Sequence, residues 1–162
     1  MKKPKMTLSF AVVFLIALLA PTPSLGAETS STKPIVAAQN AAQKTKPRIR
    51  FTSVPPYGST KNLKGQVYNV NPADYRVAVY IRVAGGWWTK PYWARPITYI
   101  QPDGSWVCDI TTGGIDEQAT KIKAFLIPKG YKPPLRSGQS RLPAGIRKAA
   151  VAIATARRSG NR

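Results

Sequence analysis

Residues 75–83 read Tyr75-Arg76-Val77-Ala78-Val79-Tyr80-Ile81-Arg82-Val83 (YRVAVYIRV), and the alternation in this stretch decides the fold class. Tyr75, Val77, Val79, Ile81 and Val83 occupy every second position, so an extended chain gathers them on one face and sets Arg76, Ala78, Tyr80 and Arg82 on the other. A helix would scatter the valines around its circumference. The stretch is therefore expected to be a β-strand, with the valine face in a core and the opposite face, including Tyr80 and Arg82, meeting water or ligand.

The same texture continues on both sides. From Ile49 onward, short β-branched and aromatic runs are broken by Pro and Gly at roughly eight- to twelve-residue intervals, the spacing of an all-β domain. Leu63–Val70 is expected to be the antiparallel neighbour of the valine strand, joined to it through the turn-forming quartet Asn71-Pro72-Ala73-Asp74. Ile97–Gln101 and Ser105–Ile110 flank Pro102-Asp103-Gly104, where proline presets one turn dihedral and glycine accepts a positive φ, so a hairpin is expected there. After the break Thr112-Gly113-Gly114-Ile115-Asp116, Thr120–Ile127 reads as a strand with Ile122, Ala124 and Leu126 inward and Lys121 and Lys123 outward. Alanine content suits a helix over Ala149–Arg158, whereas the period-two recurrence of Val151, Ile153 and Thr155 suits a closing strand. The strand is favoured, with a helical turn at Ala144–Lys148 before it. Together these pieces predict an all-β, immunoglobulin-like two-sheet β-sandwich of about seven strands over residues 48–158, followed by a frayed basic tail at 159–162.

The N-terminal region has another character. Met1-Lys2-Lys3-Pro4-Lys5 is a basic segment followed by the apolar run Phe10–Ala20, and Pro-Thr-Pro-Ser-Leu-Gly-Ala then supplies helix breakers and small residues. This is the pattern of a secretory signal over residues 1–26, cleaved after Gly26 or Ala27, and the apolar run is shorter than the roughly 20 residues a membrane-spanning helix needs. The expected location is secreted or periplasmic, with no stable membrane span after cleavage. Residues 27–47 are built of Ala, Ser, Thr, Gln, Lys and Pro and read as a disordered linker. The single cysteine, Cys108, cannot form an intramolecular disulfide. Alternation in Trp106-Val107-Cys108-Asp109-Ile110 puts its thiol on the side of Trp106 and Ile110, as a buried group.

Charge restricts the partners. The chain carries 25 Lys+Arg against 6 Asp+Glu, a net charge of +19. The cations are spread along the whole sequence, so association with any anionic polymer is favoured before specificity enters. Histidine is absent, which removes Ser-His-Asp and Cys-His nucleophilic sites and the commonest metal ligand. Asp109, Asp116 and Glu117 could meet across a groove as a carboxylate pair or a weak calcium site, but their spacing is irregular. Turn capping and charge balance against nearby lysines is the plainer reading. No catalysis, cofactor or metal is expected.

The most unusual segment is Gly85-Gly86-Trp87-Trp88-Thr89-Lys90-Pro91-Tyr92-Trp93. Pro91 and Pro96 each remove a ladder donor, which places the segment on an edge strand or a loop. In an extended chain Trp88 and Tyr92 share one side and Trp87 and Trp93 the other, so one pair is expected inward and the other outward. Aromatic faces attract cations and the polarised C–H groups of sugar rings, and Lys90 and Arg95 stand ready to add hydrogen bonds. Trp87, Trp88, Lys90, Tyr92, Trp93 and Arg95, with Tyr80 and Arg82 from the valine strand's second face, are the candidate ligand-binding residues. Single-stranded nucleic acid fits the same mixture of rings and cations, but export argues against it and no nucleic-acid motif is present.

The series Leu63-Lys64-Gly65-Gln66-Val67, Val77–Ile81, Gly86–Trp93, Asp103-Gly104-Ser105-Trp106, Asp109–Gly114 and Ala124–Pro128 resembles the immunoglobulin-like β-sandwich accessory modules of secreted bacterial carbohydrate-active enzymes and surface proteins, over roughly residues 50–157. The resemblance implies a non-enzymatic module that binds a polysaccharide or another anionic cell-surface polymer. The alternative is a structural or protein-interaction module, inhibitor-like, whose tryptophans are core.

Overall fold

The computed structural model describes residues 46–160; the expected signal sequence, most of the linker and the last two residues lie outside them. Eight strands form two antiparallel sheets. One sheet has three strands in the order β1 (Arg48–Ser53), β2 (Leu63–Tyr68), β5 (Ser105–Cys108). The other has five, in the order β7 (Ser137–Gln139), β4 (Gly86–Lys90), β3 (Tyr75–Val83), β6 (Lys121–Pro128), β8 (Ala152–Arg157). The described residues thus form an all-β sandwich, with one short helix among them, α1 (Ala144–Ala149). Among the described residues no helix is long and apolar enough to cross a membrane.

The valine face of β3 lies between the sheets as expected. Val77, Val79, Ile81 and Val83 pack with Ile122, Ala124 and Leu126 of β6 and, from the facing sheet, with Ile49, Leu63, Val67, Trp106 and Cys108. The thiol of Cys108 is buried, and desolvation pushes it up to about 12. Trp106 is held on the inner face against Phe51, ring centroids 6.0 Å apart, in an edge-on arrangement. Directly across from it stands Gly65, where a Cβ would lie 2.2 Å from the indole, so only glycine fits.

The second face of β3 departs from the expectation. Ala78 and Tyr80 are fully buried, in a second apolar cluster with Trp87, Phe125, Ile127, Leu142 and Ile146. Helix α1 and the segment leading into it cover this part of the outer face. The Tyr80 hydroxyl donates to the Pro134 carbonyl at 2.8 Å, and burial pushes its phenol above the ordinary value. Tyr80 is therefore a core residue and not a contact for ligand.

Three further expectations change. Leu63–Tyr68 pairs with β1 and β5 rather than with β3, because the Asn71–Asp74 connection crosses from one sheet to the other instead of closing a hairpin. The turn at Pro102-Asp103-Gly104 forms, with Gly104 at φ +84° donating to the Gln101 carbonyl at 2.8 Å, but residues 97–101 do not make a strand opposite β5. Thr98 instead forms an isolated bridge to Val77. Finally, β4 is not an edge: the short β7 covers it. The closing strand near the C-terminus is present as β8, after the helix.

Arg158, just past β8, was not singled out by its sequence. Its guanidinium is buried, and it donates to the carbonyls of Ala119, Pro55, Pro56, Asp116 and Glu117 at 2.8–3.3 Å. A planar fork of five N–H groups suits such a cluster of acceptors. It ties the chain end to the turn that carries Asp116.

Candidate functional site

The five-stranded sheet is wider than its three-stranded partner, and this mismatch creates the site. On β4, Trp88 and Lys90 stand opposite Ile81 and Val79 of β3, so they point to the inner side, yet neither joins the core between the sheets. The loop Thr112–Asp116 takes the place of a facing strand. Lys90 Nζ forms a buried ion pair with the Asp116 carboxylate and donates to Thr112 Oγ1 at 3.0 Å. The Gly113 amide completes the carboxylate's shell at 2.9 Å.

Chain geometry on the other side of β4 explains the exposed rings. Lys90 is opposite Val79 and Thr98 is opposite Val77, so two positions of the same β3 edge are filled by residues eight apart in sequence. The surplus chain between them has no room in the ladder and is extruded. Pro91 and Pro96 mark the ends of the extruded loop, where missing N–H donors cost no ladder bond. Its tip is closed by the Arg95 amide donating to the Tyr92 carbonyl at 3.1 Å. Extended alternation therefore ends at Lys90, and the expected pairing of Trp87 with Trp93 does not hold, whereas Trp88 and Tyr92 are both exposed and line one groove. Trp87 is buried, while Trp88, Tyr92 and Trp93 are 37%, 45% and 54% exposed.

Between β4, this loop and Thr112–Asp116 lies a groove of about 530 Å³. Its walls are the rings of Trp88, Tyr92 and Trp93 with Ile115, and the Lys90–Asp116 pair lies at its floor. A second depression, about 580 Å³, opens on the far side of Tyr92 and is lined by Arg95, Tyr99 and Val107. The Arg95 guanidinium sits 5.9 Å from the Tyr92 ring centroid, within cation–π range.

Of the eight candidate residues, the structure brings Trp88, Lys90, Tyr92 and Trp93 together at one groove, with Arg95 next door. Lys90 is buried and already paired, so it shapes the floor and offers no free ammonium. Trp87, Tyr80 and Arg82 belong to the opposite face of the sheet; Arg82 is half-buried and donates from Nε to the Gly85 carbonyl at 3.1 Å. Thr112, Ile115 and Asp116 complete the groove and were not read as part of it. The one signal that could have joined them was a lysine at a position where the alternation of an aromatic strand points inward, which demands a buried carboxylate. Asp109 is occupied with its own turn, accepting from the Thr111 amide at 2.9 Å, and among the described residues no cluster of three metal-ligating groups exists. No known protein family, curated protein or solved structure matches this chain.

Proposed function

We propose that the protein is an exported, non-enzymatic sandwich module, similar to the accessory modules of carbohydrate-active enzymes, that binds a polysaccharide or another cell-surface polymer. The groove walled by Trp88, Tyr92 and Trp93 is the contact surface. The observation that carries this reading is the exposure of three rings around one groove whose floor is already charge-neutral. Such a surface suits an uncharged sugar face: rings stack on the C–H groups, and the site leaves no buried cation demanding an anion. The alternative, in which the tryptophans are core, accounts for Trp87 and Trp106 and leaves Trp88, Tyr92 and Trp93 without a role.

The test is retardation of the protein in native gels containing neutral soluble polysaccharides, with a glycan array to identify the ligand. Trp93→Ala should abolish retardation at unchanged melting temperature, because its ring is more than half exposed. Retention of every glycan contact by Trp93→Ala and Trp88→Ala together would sink the reading.

A further inference from the structure

The far side of the five-stranded sheet carries a second surface. Register places Arg82 of β3 opposite Lys121 of β6, and Lys121 opposite Arg157 of β8. Directly paired residues point to the same face, so three cations stand in one row across three strands. With strands about 4.8 Å apart, the row spans roughly 10 Å. One step along the same face, Lys123 lies opposite Tyr80, with its ammonium 6.0 Å from the Trp87 ring. Helix α1 and its leading segment add Arg147 and Arg141, which line a hollow of about 290 Å³ against Trp87.

Among the described residues no carboxylate pairs with this charge. The one salt bridge among the described residues is Lys90–Asp116, on the other side of the sheet. Burial holds Lys123 below the ordinary lysine value, and the neighbouring charges of Arg147 and Lys121 push in the same direction. Like charges directly opposite each other destabilise a sheet, so the row persists against its own repulsion. The counter-ion it lacks among the described residues can come from a ligand.

We infer that the row Arg82–Lys121–Arg157, with Lys123, Arg141 and Arg147, is a docking surface for a polysaccharide bearing sulfate or phosphate esters. Arginine predominates, and its planar fork matches a tetrahedral oxyanion better than a point charge does. The cations are mounted on a rigid sheet at fixed intervals, which suits a polymer with regularly repeated anionic groups. Single-stranded nucleic acid would require exposed rings among the cations for base stacking, and here Tyr80 and Trp87 are buried. The inference does not depend on the aromatic groove, which faces the other way.

Heparin serves as the sulfated probe, titrated against the full chain at several salt concentrations. Lys121→Gln with Arg157→Gln should weaken binding by tenfold or more and lower the slope of log K against log salt by about two, one for each contact removed. The control, Arg50→Gln with Lys64→Gln, removes the same charge from exposed positions on the three-stranded sheet and should change affinity by no more than about twofold. Trp93→Ala should leave heparin binding intact, which separates this surface from the groove. Arg157→Gln alone, at an exposed strand position, provides the same comparison if the double variant does not fold. Equal losses in the row and control pairs would overturn the inference, reducing it to net charge. So would displacement of heparin by single-stranded DNA of matched charge at equal concentration.

Discussion

Replacing Gly65 by alanine adds one methyl group at the most crowded point between the sheets. The new Cβ would stand 2.2 Å from Cζ2 and 2.4 Å from Cε2 of Trp106, and 2.6 Å from the Arg50 carbonyl oxygen. Ordinary contact needs about 3.4 Å or more, so the indole or the β1 backbone must move by roughly an ångström. Neither is free to do so. Trp106 is fully buried against Phe51, and Arg50 is paired with Gln66 in the β1–β2 ladder. Overpacking a core commonly costs about 1–3 kcal/mol, and here a rigid ring and a carbonyl are both struck, so the upper end applies. The alanine itself would favour an extended strand by roughly 0.5–1 kcal/mol over glycine, which offsets only part of this. A net loss of about 2 kcal/mol corresponds to a fall in melting temperature of roughly 8 °C for a domain of this size. Urea unfolding followed by tryptophan fluorescence measures it. In a Trp106→Phe background, where the clashing ring atoms are gone, the same substitution should cost at least 1 kcal/mol less; the indole Nε1 has no hydrogen-bond partner to lose. A Gly65→Ala protein melting within about 2 °C of the parent would refute the packing argument.

Two other outcomes follow from buried groups. Lys90→Met or Asp116→Asn leaves one partner of a buried ion pair uncompensated and should cost about 3–5 kcal/mol in urea unfolding; Lys90→Met combined with Asp116→Leu should recover most of that loss, and strictly additive losses would contradict the pairing. The Cys108 thiol, pushed up to about 12 by burial, favours its neutral form, so at pH 8 it should resist a disulfide reagent in native protein and react stoichiometrically in denaturant; full native labelling within minutes would show the thiol to be accessible.

The valine face of β3 was legible because period two over nine residues admits one structure, and the inner faces of β5 and β6 follow the same logic. Its second face was not. Ala78 and Tyr80 are covered by Leu142 and Ile146, single apolar residues in polar surroundings, and nothing local in such a segment announces what it covers. The partner of β2 was misread for a related reason: adjacency in sequence is a tendency, and the Asn71–Asp74 connection is long enough to cross between sheets. At the groove, the ring-rich segment supplied Trp88, Lys90, Tyr92 and Trp93, which line it together. The surrounding wall depended on a contact between Lys90 and Asp116, whose separation of 26 residues leaves no local trace.

The extruded loop is attached to the sheet only at its two ends, where Lys90 and Thr98 hold fixed places along β3. Everything between those posts is outside the ladder, and beyond Ile97 on the core and Pro91 on Thr112 its length and composition can change without shifting the register of any strand. Closing a somewhat longer loop adds little entropy, since the cost grows only with the logarithm of length. The fold therefore behaves as a socket with an exchangeable insert. Related chains could acquire different ligands by altering the exposed residues 92–95 alone, and a designer could graft new recognition loops there while keeping Ile97 on the core and Pro91 on Thr112.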